Sequence, residues 1–239
     1  MRLYGKNPVL ERLKSAPETI NKIYIRKGVN LENIVTLSRE KNVLLAHMSE
    51  EKFANYSANI NCQGVVAEVS EFAYSLLEDF LSRPDEDLLT LIFLDHITDP
   101  QNLGAILRSL ACFSGFALVI PKHASVSINE TVLRVACGGE SFVPVAQIPN
   151  FSIGTELAKK RGYWIAGAVV TGGKSLLETS LPFPLALVMG SEDKGVRPAL
   201  RSHLDLELTL PMPGANISFN VATATAIFSY EIFKQKNKI

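Results

Sequence analysis

The chain has 239 residues, 47% of them apolar and 20% charged, with 24 Lys plus Arg balanced by 24 Asp plus Glu. This composition is that of a globular protein of one or two domains; it excludes a disordered chain and a strongly basic electrostatic binder, though not RNA held by a few placed cations. Three scattered cysteines (Cys62, Cys112 and Cys137), no C-x-x-C, no run of 18 apolar residues and no apolar signal core after Met1 lead us to expect a reducing, cytoplasmic setting.

From the amino end, Asn7-Pro8 reads as a helix N-cap followed by proline at the first helical position, with Val9, Leu10 and Leu13 as its apolar face. Strands are expected at 22–26, 43–46 and 64–69, and helices at 31–41, 49–55 and 71–82. Strand and helix alternate, so residues 1–82 are expected to form a small α/β domain. The polar stretch 82–87, which contains Pro84, marks a boundary, with a linker over 83–89 and a second domain over 90–239. In that second part apolar runs recur at 88–94, 117–120, 142–146, 163–170, 185–189 and 206–210. Each is short and non-alternating, as strands buried on both faces are. Helical patterns lie between them near 103–113, 127–135, 153–161 and 219–235. The expected fold class is α/β, a parallel sheet covered by helices.

Three loop-and-element units could carry chemistry. In the first, a buried strand ends at Asp95 and a helix begins near Asp99-Pro100, at the strand end where open α/β sheets bind ligands. Its polar candidates are Asn102 and Arg108. Six helical residues turn through about 600°, so these two converge only if Asn102 lies in the loop before the helix. A plain helix start with a surface arginine fits the same residues. In the second unit, the strand at 185–189 runs into Gly190, and Gly195 follows after four polar residues. Glycines let main chain approach a ligand closely, and Glu192 would favour a positive ligand or orient a donor; a tight turn with solvated charges fits as well. In the third, a strand ends at Leu210, a Pro/Gly loop follows, and Ser218 is a natural N-cap. Asn220 is then polar in the first turn of a helix that reads as buried, either as a working group or as a second cap.

Other signatures fail on spacing. Gly172-Gly173-Lys174-Ser175 resembles the end of a P-loop, but Ala168 stands where that pattern needs its first glycine. His47, His96, His123 and His203 are scattered, with no H-E-x-x-H to bind zinc, and no G-x-S-x-G elbow marks a serine hydrolase.

Taken together, the three units resemble the SpoU (TrmH-type) ribose 2′-O-methyltransferases of RNA, in the SPOUT superfamily. Asp99-Pro100, Asn102, Gly104 and Arg108 stand in register with that family's first motif, Gly190-Ser191-Glu192 with its second, and Pro211 with the Ser218-x-Asn220 pair with its last. The stretches 4–13 and 131–140 are similar to the branch that methylates a guanosine of 23S ribosomal RNA. The resemblance implies a deep trefoil knot in the carboxyl-terminal domain, an RNA-gripping amino-terminal domain, and a homodimer whose active site draws on both chains. It implies S-adenosylmethionine as cofactor, held by main-chain groups around Gly190, Leu210, Met212 and Phe219, and no metal. It implies Arg108, Asn102, Glu192, Ser218 and Asn220 as the catalytic set, with Arg108 on an RNA phosphate and on the 2′-hydroxyl. Ribose methylation of transfer RNA and a non-catalytic RNA-binding or ribosome-assembly role are the alternatives. The chain departs from the family pattern at Asp193, where glycine is common, at Phe219, where leucine is common, and at Ala222, where serine is common. Lys6, Arg12, Lys22, Arg26 and Lys27 are candidates for reading RNA, and Lys234, Lys236 and Lys238 read as a solvated tail.

Overall fold

Two sheets organise the chain in the computed structural model, which describes residues 1–57, 60–191, 195–214 and 217–239. The first sheet uses β1 (Arg2–Tyr4), β2 (Ile20–Arg26), β3 (Leu45–Met48) and β4 (Val65–Val69) in the order β1-β4-β2-β3. Helices α1 (Lys6–Ser15), α2 (Glu32–Glu40) and α3 (Glu50–Tyr56) connect them. β2 and β3 are parallel, whereas β4 runs antiparallel to both β1 and β2, so this sheet is mixed. Gly5, at φ 102°, precedes α1, so the helix starts two residues before Pro8 and Asn7 is not its cap.

The expected helix over 71–82 contracts to α4 (Leu77–Leu81). Ser75 is drawn into a parallel bridge with Ala146, and Leu77, Phe80 and Leu81 bury themselves beside Leu91 and Phe93. Residues 75–81 therefore pack with the second sheet, although they precede the boundary expected from the polar stretch at 82–87.

The second sheet holds β5 (Thr90–Leu94), β6 (Phe116–Pro121), β7 (Val145–Ile148), β8 (Trp164–Ala168), β9 (Lys174–Ser175), β10 (Leu185–Met189) and β11 (Leu206–Thr209). Their order is β7-β6-β5-β10-β8-β11-β9, and every pairing is parallel. Every residue of β5, β6 and β10 is buried, which explains their uninterrupted apolar sequence. Helices α5 (Pro100–Phe113), α6 (Glu130–Ala136), α7 (Phe151–Lys160), α8 (Pro198–Arg201) and α9 (Val221–Asn237) complete the fold. From β5, successive strands build outward to β6 and β7; the later chain then returns to β5's other side with β10. That reversal is a topological switch point, the kind of place where open α/β sheets bind ligands.

The two sheets share one apolar core, in which Leu3, Val9 and Leu13 join Leu103, Leu107 and Leu133. α1 lies against the segment following α6. Gly138 sits at φ 95°, and a Cβ there would stand 2.7 Å from the Cβ of Glu11. Beside it Arg12 Nη2 pairs with Glu140 Oε1 at 3.1 Å, with both side chains buried. Burial pushes the Glu140 carboxyl above its ordinary range, against the pull of nearby backbone amides and Arg12. Glu130 adds two contacts, accepting from Arg2 N at 2.8 Å and Tyr4 Oη at 3.1 Å. Arg12 is thus committed to an internal ion pair, which removes it from the residues that could read RNA. Lys236 also differs from a solvated tail, because its Nζ donates to the Leu88 carbonyl at 2.7 Å.

Breaking this pair from one side leaves an uncompensated buried charge. Arg12→Ala should lower the unfolding free energy by about 3–5 kcal/mol, whereas the apolar double replacement Arg12→Leu/Glu140→Leu should recover most of that loss. Urea unfolding of the two variants checks this; equal losses in both would show that packing rather than charge is at stake.

Candidate active site

A cavity of about 450 Å³ opens at the carboxyl ends of β8, β10 and β11. Its walls come from the loops that follow those strands and from the first turns of α9. All four residues expected to surround a cofactor, Gly190, Leu210, Met212 and Phe219, line it, as does Ser218. Much of one wall is main chain. A Cβ on Gly190 would stand 2.0 Å from the carbonyl carbon of Gly195, so only glycine permits the approach. Gly195 is at φ 61°, and its N–H donates to the Ser191 carbonyl at 2.9 Å. Phe219 keeps 45% of its surface exposed at the mouth. A hollow lined by apolar side chains and bordered by main chain suits a ligand with a planar heterocycle and a polar tail.

The polar residues divide into two groups. Asn220, not Ser218, caps α9: its Oδ1 accepts from Ala222 N at 2.9 Å. Its Nδ2 donates to Asn102 Oδ1 at 3.0 Å, so the capping role and the contact with the first unit coexist. Ser218 is exposed on the approach to the helix. Asn102 lies within the first turn of α5, and its side chain is buried. Arg108 is then turned elsewhere on the same helix, exposed, with Nη1 3.7 Å from Cys137 Sγ. The condition for convergence, Asn102 in the loop before the helix, is not met. Within one chain the structure joins Asn102 to Asn220 beside the cavity, whose lining includes neither of them, and turns Arg108 away from that pair. Glu192 lies outside the described residues.

Two functional-site neighbours escaped sequence reasoning. Asp95, buried at the end of β5, is paired with Arg197, which precedes α8. A carboxylate ending an otherwise apolar strand was the available signal. Of the other basic candidates, Arg26 pairs with Glu50 at 2.7 Å, and Lys22 Nζ lies 5.3 Å from the centre of the Tyr24 ring. Among the described residues no cluster of three or more His, Cys, Asp or Glu could hold a metal, and no helix is long and apolar enough to cross a membrane.

A parallel α/β sheet with a main-chain-walled cavity at its strand ends defines a class of enzyme that binds a small cofactor there. Comparison identifies which. Residues 90–230 match the model of the SpoU rRNA Methylase family, and residues 2–75 match that for RNA 2′-O ribose methyltransferase substrate binding. The chain belongs to the SpoU rRNA methylase family and is an RNA ribose 2′-O-methyltransferase. It is 32% identical to the 23S rRNA (guanosine-2′-O-)-methyltransferase RlmB of Pseudomonas putida, over 98% of this chain and 96% of that one. It is 29% identical to YacO of Bacillus subtilis, a putative TrmH family tRNA/rRNA methyltransferase, over 98% and 96%. Among solved structures it resembles the SpoU methyltransferase AviRb of Streptomyces viridochromogenes in complex with AdoMet, with a TM-score of 0.83 at 20% identity, covering 100% of this chain and 91% of that one.

Gly190→Ala should abolish cofactor binding, because a methyl group would be driven into main chain rather than into a movable side chain. Calorimetry with S-adenosylmethionine on a variant with unchanged circular dichroism tests it, and wild-type affinity would contradict the wall described above.

Proposed function

We propose that this enzyme methylates the ribose 2′-hydroxyl of a guanosine in 23S ribosomal RNA, with S-adenosylmethionine as methyl donor. The observation that carries the choice of RNA is the extent of the relationship to RlmB, which runs through both sheets and not through the carboxyl-terminal one alone. A ribosomal substrate implies action in the cytoplasm. Transfer RNA is the second reading, favoured by one observation: YacO, matched over 98% of this chain, is named a putative tRNA/rRNA methyltransferase.

The cavity supports the cofactor assignment. Main-chain groups at Gly190, Leu210 and Met212, with the Phe219 face at the mouth, would hold it. When bound, S-adenosylmethionine supplies an electrophilic methyl group on a positively charged sulfur. The chain's own residues must then place and activate a hydroxyl that is a poor nucleophile while protonated. A guanidinium is a poor base by itself, so Arg108 acts first as a clamp on an RNA phosphate and orients the hydroxyl, whose proton leaves with help from that phosphate. Asn102, Asn220, Ser218 and Glu192 orient the ribose and the guanidinium.

The separation of Arg108 from the cavity supports a homodimer, in which a second copy brings its Arg108 to this cavity. The exposed aromatic face of α5 and α9 supports the same arrangement: Tyr230 is 55% exposed, and its ring lies 5.9 Å from that of Phe113. A trefoil knot belongs to this reading too. It is supported by the path of the carboxyl end, where α9, which follows the outlying β11, returns to pack on α5 and meets Asn102. The amino-terminal sheet is the RNA-gripping unit. The packing of residues 75–81 on the second sheet favours a division at 70–74 over the linker at 83–89.

The direct test is transfer of label from S-adenosylmethionine to unmodified 23S, 16S and transfer RNA, with nucleoside analysis. Recovery as 2′-O-methylguanosine in 23S RNA is the expected result; label confined to transfer RNA would keep the chemistry and overturn the target. Arg108→Ala should abolish transfer while cofactor binding persists, and near-normal turnover would remove Arg108 from the reaction. Asn220→Ala should slow transfer by about tenfold or more, about 1.4 kcal/mol of transition-state stabilisation. Unchanged turnover with a lowered melting temperature would reduce Asn220 to a cap.

A further inference from the structure

Two short legs border one wall of the cavity, residues 190–191 leaving β10 and residues 195–197 leading into α8. They are pinched together where Gly190 meets Gly195 main chain against main chain. Both legs end on a single residue outside them. Asp95 N donates to the Met189 carbonyl at 2.8 Å, immediately before the outgoing leg. Its carboxylate, fully buried, receives the returning leg: Arg197 Nε lies 2.9 Å from Oδ1 and 3.0 Å from Oδ2, Nη2 lies 2.8 Å from Oδ1, and Arg197 N donates to Oδ2 at 3.3 Å. His96, at φ 62°, places Nδ1 2.7 Å from Oδ1.

Burying a carboxylate is unfavourable unless it is paired, and apolar residues hold a strand end equally well. What the fork adds is direction. Several N–H groups of one guanidinium on one carboxylate fix the angle of the returning leg as well as its distance. The backbone N–H of the same arginine fixes where that leg turns into α8. The clamp therefore acts on the shape of the wall, and through it on the ligand the wall faces.

We propose that Asp95 and Arg197 are positioning residues for the methyl-transfer reaction: their ion pair holds residues 190–191 and 195–197 in the arrangement that receives S-adenosylmethionine. This rests on the cofactor assignment of the preceding subsection. Neither residue lines the cavity, so their effect is exerted through Gly190, Ser191 and Gly195, which do.

The test uses the full chain. S-adenosylmethionine affinity is measured by calorimetry for wild type, Arg197→Gln, Arg197→Lys and the neutral pair Asp95→Asn/Arg197→Gln; backbone amide exchange is followed in the ligand-free proteins. Arg197→Gln should weaken binding about tenfold, about 1.4 kcal/mol. Arg197→Lys, which keeps the charge but not the fork, should fall between the two. The neutral pair should bind no more weakly than Arg197→Gln, because two residues acting as one unit are not additive. Exchange should rise at residues 190–191 and 195–197 and stay unchanged in β5 and β6. Binding within about twofold of wild type in all variants would overturn the proposal, as would exchange that rises evenly through the chain, which marks a loss of stability alone. Failure of the unaltered protein to bind S-adenosylmethionine would instead overturn the cofactor assignment, and this inference with it.

Discussion

One side-chain hydrogen bond, from Asn220 to Asn102, joins the starts of two helices that lie 118 residues apart in the chain. Because the same asparagine caps α9, the point where that helix begins is fixed against the first turn of α5. Leu210 and Met212, just after β11, and Phe219, just before this fixed point, line the cavity. The direction of Arg108 follows from the same bond. With Asn102 turned toward α9, a residue six positions further along the helix must face away. The bond itself contributes only about 0.5–1.5 kcal/mol net, and the cap about 1 kcal/mol. Its importance is geometric, since the packing of α5 on α9 supplies cohesion without specifying rotation.

The second organising contact is the junction between the sheets. Gly138 and Gly139 lie between α1 and α5: a Cβ on the first would strike Glu11, and one on the second would stand 3.0 Å from the Arg108 Cα. The amino-terminal helix, the 137–140 segment and the helix carrying Arg108 are therefore stacked without space for an extra methyl group. The buried Arg12–Glu140 pair locks the stack in register, and the Glu130 contacts to Arg2 and Tyr4 extend it along β1. Whatever the first sheet holds is thereby referred to Arg108 through three close-packed layers.

Much of this architecture was legible from residue types. The run at 185–189 coincides with β10, because a strand buried on both faces has no polar position to blur its ends. The α5 and α9 helices were visible through their apolar spacing, and the Asp99-Pro100 start through its capping chemistry. What escaped depended on partners. β1 and β9, with three and two residues, are strands only because β4 and β11 lie beside them. The helix expected over 71–82 lost its first half because Ser75 found a pairing position next to β7. Ser218 and Asn220 are both competent caps, and the choice between them was made by Asn102, which no local pattern reveals. The cofactor positions were reachable through resemblance and fall on the cavity. Asn102 and Arg108 do not meet within one chain, because α5 already begins at Pro100 and a residue six positions beyond Asn102 faces another side of the helix.

A wall made of main chain has an uneven relationship to mutation. Where a ligand faces amides and carbonyls, the side chains behind them can be exchanged freely as long as the chain keeps its path, and replacements such as phenylalanine for leucine at position 219 are absorbed. Gly190 has no such freedom, since the smallest side chain collides with the backbone opposite. Descent would therefore leave this cavity's function intact while its letters drift, with change stopping abruptly at a few glycines. The chain shares one residue in five with AviRb and still follows a similar course through space.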